Sequence, residues 1–578
     1  MPRKFLTCAA LIALTLPWVW GCDSQTGSSD LNGQDGTEIT IPPYAKGTVS
    51  EFAVILGGGS LPLQAHGLIV GLGQNGSSEV PAGIYNAMSE YLSKQKLGSY
   101  QTRTERIPPE RILVDRDTAV VLVGGSAEIG APVGSKFDVF VSALPGTQTR
   151  SLDGGVLMPV DMSVAYGGVS DPNITAQIWG SAAGPVFINP FVDADSPEAD
   201  SNLLTGRVIG GGVVTRRQPI RLQLHRPDAQ LAQTIQRRIH TRFGLGEKLL
   251  LSDVVKGRSR SMLEVTVPAS YEDDYRHFMD LITHLPVRYG VGGQERYTRR
   301  LCEQMEMPLA RHDDLSLVLE AIGRQVLPQI KTLYSSQMQA AAYYTARAGL
   351  RLGDMGASSI VLKYAASAES PFQLEAIAEM GRHPKVLKAG PVLRSLLDDR
   401  NEQVRLAAYK ALRRRGDRTI RTITLPDQFT IDIVRTKRDY TVYATQTGDP
   451  RIVLFGENMP VRQPVYFVSP DELVTVNAFA DSEKLTVFRK VPHNGRRSDP
   501  VECGFTVREL AETMGRLPEP DSYGKVHSLG LSYSQVVGVL YRLCESEAIP
   551  ARFVLQQTDS MRRIYGGGAA VGRPDMPE

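Results

Sequence analysis

The hydrophobic period of this chain changes twice along its length, and that limits the architectures open to it. From Phe52 to about Tyr289, short apolar runs of strand character alternate with Gly, Pro and Asn turns. Between residues 313 and 416 that pattern gives way to helical stretches punctuated by Gly, Asp or Pro, and past Thr424 the strand pattern returns. Such a chain is neither one long bundle nor one continuous sandwich. It predicts an α+β fold in which β-rich regions are interrupted by an α-helical segment. With 578 residues there is length for several cores.

In the first region, runs at 52–56, 67–71, 112–114, 119–123, 137–142, 220–224 and 263–267 predict strands. Two helices interrupt them: 229–242, entered through Pro227 with Asp228 as cap, and 271–285, stopped by Pro286. In the middle region, Gln373-Leu374-Glu375-Ala376-Ile377-Ala378 is echoed 30 positions on by Gln403-Val404-Arg405-Leu406-Ala407-Ala408, and 340–353 is a looser third copy. That period lies in the solenoid range. Residues 392–417, with Asp398-Asp399 before Val404-Arg405, resemble a HEAT-type repeat in which an Asp caps a helix and an Arg reaches a neighbour. The alternative is an ordinary helical subdomain. In the last region, 441–444, 451–455, 464–468, 484–488 and 552–555 predict strands. The stripes Val507, Leu510, Ala511, Met514 and Val536, Val537, Leu540, Leu543, Cys544 predict two amphipathic helices.

The N-terminus reads as an export address. Arg3 and Lys4 precede an apolar run over 5–19 that ends at Gly21-Cys22. The run is shorter than the ~20 residues that span a bilayer, and no other stretch approaches that length. Val19-Trp20-Gly21-Cys22 resembles a bacterial lipobox, so Cys22 is the expected site of lipidation; ordinary cleavage nearby is the alternative. The expected order of parts is a signal peptide (1–21), a flexible tether (22–47), an α+β domain (48–298), a HEAT-like helical domain (299–420), a C-terminal β-rich domain ending in a helix pair (421–565) and a flexible tail (566–578).

Little in the chain points to reaction chemistry. Lys and Arg number 64 against 62 Asp and Glu, a net charge of +2, which gives no broad basic field for nucleic acid. The elbow of a serine hydrolase, the zinc-protease helix and the phosphate-binding P-loop are all missing. Gly71-Leu72-Gly73-Gln74-Asn75-Gly76 fits a dinucleotide fingerprint, but Ser77 to Pro81 delays the helix and Asp115 comes far too late to be its acid; a tight turn is the simpler reading, and no cofactor is expected. Asp273, Asp274, His277, Asp280 and His284 share a helix face opposite Phe278, Leu281, Ile282 and Leu285. That face could hold a divalent metal, but it is read first as a solvated face, and no metal is expected. His312-Asp313-Asp314 reads as the cap of a helix beginning at Leu315, and Arg413-Arg414-Arg415 as a solvated helix end, with phosphate binding as the alternative. Five cysteines make no disulfide framework; Cys503 with Cys544 is the expected bridge, simple burial of Cys544 being the alternative.

The segment Leu63-Gln64-Ala65-His66-Gly67-Leu68-Ile69-Val70-Gly71-Leu72, followed by Asn75-Gly76, resembles the opening of the bacterial flagellar P-ring protein family. The resemblance continues in order through 119–123, 132–142, Ser151-Leu152-Asp153-Gly154-Gly155-Val156-Leu157, 210–214 and His225-Arg226-Pro227-Asp228, and again in 505–514 and 531–555. Gly67, Leu68, Val70, Gly71, Leu72, Asn75, Gly76, Gly154, Gly155 and Pro227 carry the motif. The resemblance implies a structural, non-enzymatic homo-oligomeric ring in the periplasm. It would act as a bushing around the flagellar rod of the basal body, with rod and L-ring components and peptidoglycan as partners. The chain departs from the family at Cys22, which would add a lipid anchor, and in the helical block, which has no counterpart there. Two other functions stand beside this one: an envelope lipoprotein adaptor that binds a protein through its helical repeats, and a metal-dependent envelope enzyme using the His277 and His284 face.

Overall fold

In the computed structural model, which describes residues 42–56, 60–94, 108–164, 177–191, 199–247, 249–426, 428–469, 472–490, 497–519 and 526–556, the strands of the first region close on themselves. The signal segment, Cys22 and the tail 566–578 lie outside the described residues. Along the first region run α1 (Val49–Phe52), β1 (Ala53–Ile55), β2 (Ser60–Val70), α2 (Ala82–Lys94), α3 (Pro109–Leu113), β3 (Thr118–Glu128), β4 (Lys136–Ala143), β5 (Val156–Val164), β6 (Ile178–Pro185), α4 (Ala199–Leu204), β7 (Thr205–Val214) and β8 (Ile220–Leu224). Then come α5 (Ala229–Ile239), α6 (Leu251–Val254), β9 (Val255–Gly257), β10 (Met262–Val265) and α7 (Tyr275–Thr283).

Six of these strands form a closed antiparallel barrel in the order β2-β3-β4-β7-β6-β5, with β5 returning to β2. Alternation along β3 sends Ala119, Val121 and Val123 inward, and Val120 outward to Leu68, Met88, Leu92 and Leu113 beneath α2 and α3. Beside the barrel, a sheet of order β1-β8-β10-β9 is covered by α5 and α7, whose Ile235, Ile239, Phe278, Leu281 and Ile282 pack on Leu222, Leu263 and Val265.

The helical block contains α8 (Gly293–Met305), α9 (His312–Ile322), α10 (Leu327–Ile330), α11 (Gln339–Arg351), α12 (Ser358–Ala366), α13 (Gln373–Arg382), α14 (Ala389–Ser395) and α15 (Glu402–Arg414). The echoed segments at 340–353, 373–378 and 403–408 fall on α11, α13 and α15, three helices in one core with Tyr343, Ala376, Ile377 and Ala408. The cap of α15 is Asn401, whose side chain accepts from Gln403 N at 2.9 Å, and Arg405 donates to the carbonyls of Asp399 and Arg400.

The last region holds β11 (Arg421–Leu425), β12 (Phe429–Val434), β13 (Thr441–Ala444), β14 (Arg451–Phe455), β15 (Val465–Val468), β16 (Val474–Ala478), β17 (Leu485–Arg489), β18 (Val501–Cys503), α16 (Val507–Gly515), α17 (Tyr533–Glu545) and β19 (Arg552–Leu555). One sheet runs β11-β12-β14-β13-β19 with parallel β12/β14 and β13/β19 pairs, and a second runs β15-β16-β17-β18. Every residue of β14 is buried. Ile452 and Leu454 face α16 and α17, while Val453 and Phe455 join the core of the helical block, so both faces of this sheet are covered.

The fold is α+β, with strands and helices in the expected alternation. Two expected elements change type. The apolar run at 112–114 lies in and just after α3, because Pro109 occupies the first helical position, where its fixed φ and missing N–H suit a helix start. Residues 52–56 begin as the end of α1 and become strand only at Ala53. Among the described residues no helix is long and apolar enough to cross a membrane.

Candidate functional site

The glycine motif is the joint of the barrel. Gly67 lies inside the wall, where a Cβ would sit 2.7 Å from Val123 Cγ2 and 2.9 Å from Leu157 Cδ1. The chain leaves β2 through Gly71 and Gly73, both at positive φ, and the turn is pinned by Leu72 N to Asp117 O at 3.0 Å and Gly73 N to the Asp117 carboxylate at 2.6 Å. A Cβ on Gly76 would overlap the carbonyls of Arg116 and Thr118, and Asn75 O accepts from Arg150 N at 2.7 Å. Gly155 gives room to Ile69 and Leu72, and Gly154, at φ +72°, approaches Gln535 of α17. Leu68 and Val70 belong to the outer layer under α2. Pro227 precedes Asp228, which caps α5 by accepting from Gln230 N and Leu231 N at 2.9 and 3.0 Å. The motif residues thus serve backbone approach and packing, and the G-x-G-x-x-G string is a turn against Asp117 with no helix opening at its last glycine.

The barrel is also docked on the last region. The Asp138 carboxylate accepts from Gly210 N at 2.8 Å and from Gly448 N at 3.0 Å. Ser534 of α17 donates to Ile188 O at 2.8 Å, and Arg207 donates to Gln446 O at 3.0 Å.

The histidine face of α7 is divided between different neighbours. His277 Nε2 lies 2.7 Å from Glu320 Oε1, and Arg351 Nη1 lies 3.1 Å from both His277 ring nitrogens. His284 Nε2 lies 3.5 Å from Asp314, and its ring stacks on Tyr44 at 6.0 Å. Among the described residues no group of three or more His, Cys, Asp or Glu is placed to hold a metal. Asp273, Asp274 and Asp280 instead line a cleft of about 470 Å³ with Arg347, Arg351, Arg382 and Arg414. At its floor Arg351 makes two bonds to Glu379, at 2.8 and 2.6 Å. Burial alone would raise the Glu379 pKa, but Arg351 and His383 outweigh it and hold the carboxyl well below its ordinary range. Glu320 is held down in the same way by His277 and Arg351, and the Arg351 pKa is raised despite its burial.

Glu320, Arg351 and Glu379 were missed as a site from sequence. Only Glu320, the one charge in the apolar run from Leu317 to Ile322, carries a local mark of a buried pair; Arg351 and Glu379 lie on helices with other charges. His312-Asp313-Asp314 is not a cap: the helix begins at His312, the acids sit in its first turn where the dipole favours them, and they pair with Arg347 and Arg311. Arg413-Arg414-Arg415 is only partly solvated. Arg413, itself exposed, pairs with buried Asp432 at 3.1 Å, Arg415 is bonded to four carbonyls, and exposed Arg414 lines the cleft beside α7. The expected Cys503–Cys544 bridge is not formed. Both are free thiols, packed separately in or against the core around α16 and α17, where burial pushes Cys503 up to about 11 and Cys544 up to about 12.

The described residues define a closed antiparallel barrel beside a four-stranded sheet, with the buried charges of the helical block paired among themselves. Residues 49–293 match the family model described as Flagellar P-ring protein. A flagellar P-ring protein of Oleidesulfovibrio alaskensis is 27% identical over 235 residues, covering 39% of this chain and 56% of the relative. Those of Anaeromyxobacter sp. strain K and Thermotoga maritima are 26% and 24% identical, covering 41% and 42% of this chain and 60% and 66% of their own lengths. The chain therefore spans less than two thirds of the curated relatives it matches. The match ends at the start of α8, before most of the helical block.

Proposed function

We propose that this protein is a structural component of the bacterial flagellar basal body that assembles with copies of itself into a periplasmic ring around the rod, without catalysis. The observation that carries this reading is the family match over 49–293, within which the motif glycines at 67, 76 and 155 give room for close packing in and beside the barrel wall. By the same reading its partners are further copies of the chain, the rod and L-ring components and, around them, peptidoglycan, and acylated Cys22 tethers it to a membrane. A head-to-tail contact that closes on itself gives a ring with no reactive side chain. Negative-stain images of the purified protein should show closed rings, and deletion of the gene should abolish swimming and remove a ring from isolated basal bodies. A strict monomer at high concentration, together with normal swimming in the deletion strain, would overturn the reading.

A further inference from the structure

Over residues 380–420 the chain carries 11 Lys and Arg against 4 Asp and Glu, although the whole chain stands at +2. The fold gathers much of this charge at one end of the helical block. The turn from α13 to α14 is held against the end of α15 by Arg415, which donates to the carbonyls of Met380, His383, Pro384 and Val386 at 2.7 to 3.1 Å. Gly381 lets the two helices approach, since a Cβ there would lie 2.9 Å from Ala411 Cα. Arg394 of α14 bonds the Asp417 carboxylate at 2.9 Å, closing the same end. Lys385 and Lys388 from the turn and Arg418 just past α15 therefore stand at this same end, all exposed, whereas Arg414 lines the acidic cleft beside α7. None of these three pairs with a carboxylate among the described residues, Asp417 and Asp432 being taken by Arg394 and Arg413. Between the two lysines stands Leu387, 83% exposed.

An exposed apolar residue flanked by unpaired cations suits a partner that is uniformly anionic at its face and apolar just beneath. We propose that this end of the helical block docks on an anionic phospholipid bilayer, with Lys385, Lys388 and Arg418 meeting headgroup phosphates and Leu387 entering the headgroup boundary. An acidic protein would satisfy the charge but leaves the exposed leucine without a role. The inference rests on the helical block alone and stands whether or not the chain forms a ring.

The test is co-sedimentation of the full chain with vesicles of phosphatidylcholine alone and of phosphatidylcholine mixed with phosphatidylglycerol. The parent should bind the anionic vesicles about tenfold more tightly than the neutral ones, and salt should erase the difference. Lys385→Glu/Lys388→Glu/Arg418→Glu should lose that preference while keeping the parent's circular dichroism; Lys385→Gln/Lys388→Gln, a milder change, should lose part of it. All versions share one N-terminus, so the change in preference reads this surface alone. A parent that does not distinguish the two vesicle types, as an acidic-protein site would give, overturns the proposal, as does a folded charge-reversed variant that keeps the preference.

Discussion

Glu379 keeps 1% of its side chain exposed, yet it lies within ion-pair reach of Arg351, Arg382 and His383. A carboxylate so placed is stable only with its cations, and Arg351 in turn depends on Glu379 and Glu320. Glu379→Gln should cost about 3–5 kcal/mol, because it leaves the Arg351 charge buried with less compensation. The two carboxyls have lowered folded pKa values, so their stabilisation is fully present above the unfolded range near ~4.3 and is lost as pH falls through the lower folded values. The parent's unfolding midpoint should therefore fall steeply below about pH 4.5, and that of Glu379→Gln more gently. Denaturant melts across that window check it; parallel pH profiles for the two proteins would refute the assignment. The acid itself was visible in the sequence as a charge beside Ile377 and Met380. Its partner 28 positions back was not, because pairing across helices is set by packing that no local pattern records.

At the scale of elements, the barrel shows why some strands were legible and others hidden. The strands at 220–224, 441–444, 451–455 and 552–555 are rich in branched or aromatic residues and fall where their patterns put them. By contrast β6 is mostly glycine, alanine and serine and β7 is broken up by four glycines, which weakens the strand signal, so the closing half of the barrel could be seen only in the folded chain. Their composition has a packing cause. The Phe137 ring on β4 lies over Gly125, Gly180 and Gly212 of three other strands, occupying space their side chains would need. Gly212→Val should destabilise by about 1–3 kcal/mol through overpacking against Phe137, whereas Gly124→Ala, which meets nothing within 4 Å, should be close to neutral. Chemical denaturation of the two variants separates them, and equal stabilities would remove Phe137 from this role. In the glycine motif, likewise, the turn was legible, but its closure on Asp117 and its approach to α17 were not.

For the whole molecule, the change of period marks changes of secondary structure but not of core. Residues 43–578 form one compact unit, and the core of the helical block includes Val434, Tyr443, Val453 and Phe455 from the last sheet. Asp432, fully buried on β12, ties the two together by accepting from Tyr409 at 2.5 Å, Arg413 at 3.1 Å and Arg451 at 2.8 Å. On the other flank, the pairs of His277 with Glu320 and of Arg382 with Asp274 join the block to α7. A block held on both sides in this way opens only with its neighbours, since freeing it would expose the apolar face of β14 and leave Asp432 without part of its hydrogen-bonding shell. Limited proteolysis should therefore give no stable fragment bounded near 299 and 420, and the first protected product should keep the helical block joined to both flanks. Mass spectrometry of a time course reads this directly. Accumulation of a helical fragment that resists further cleavage would mean that the block is an independent module carried by the barrel, and the adaptor function would then gain what the ring scaffold loses.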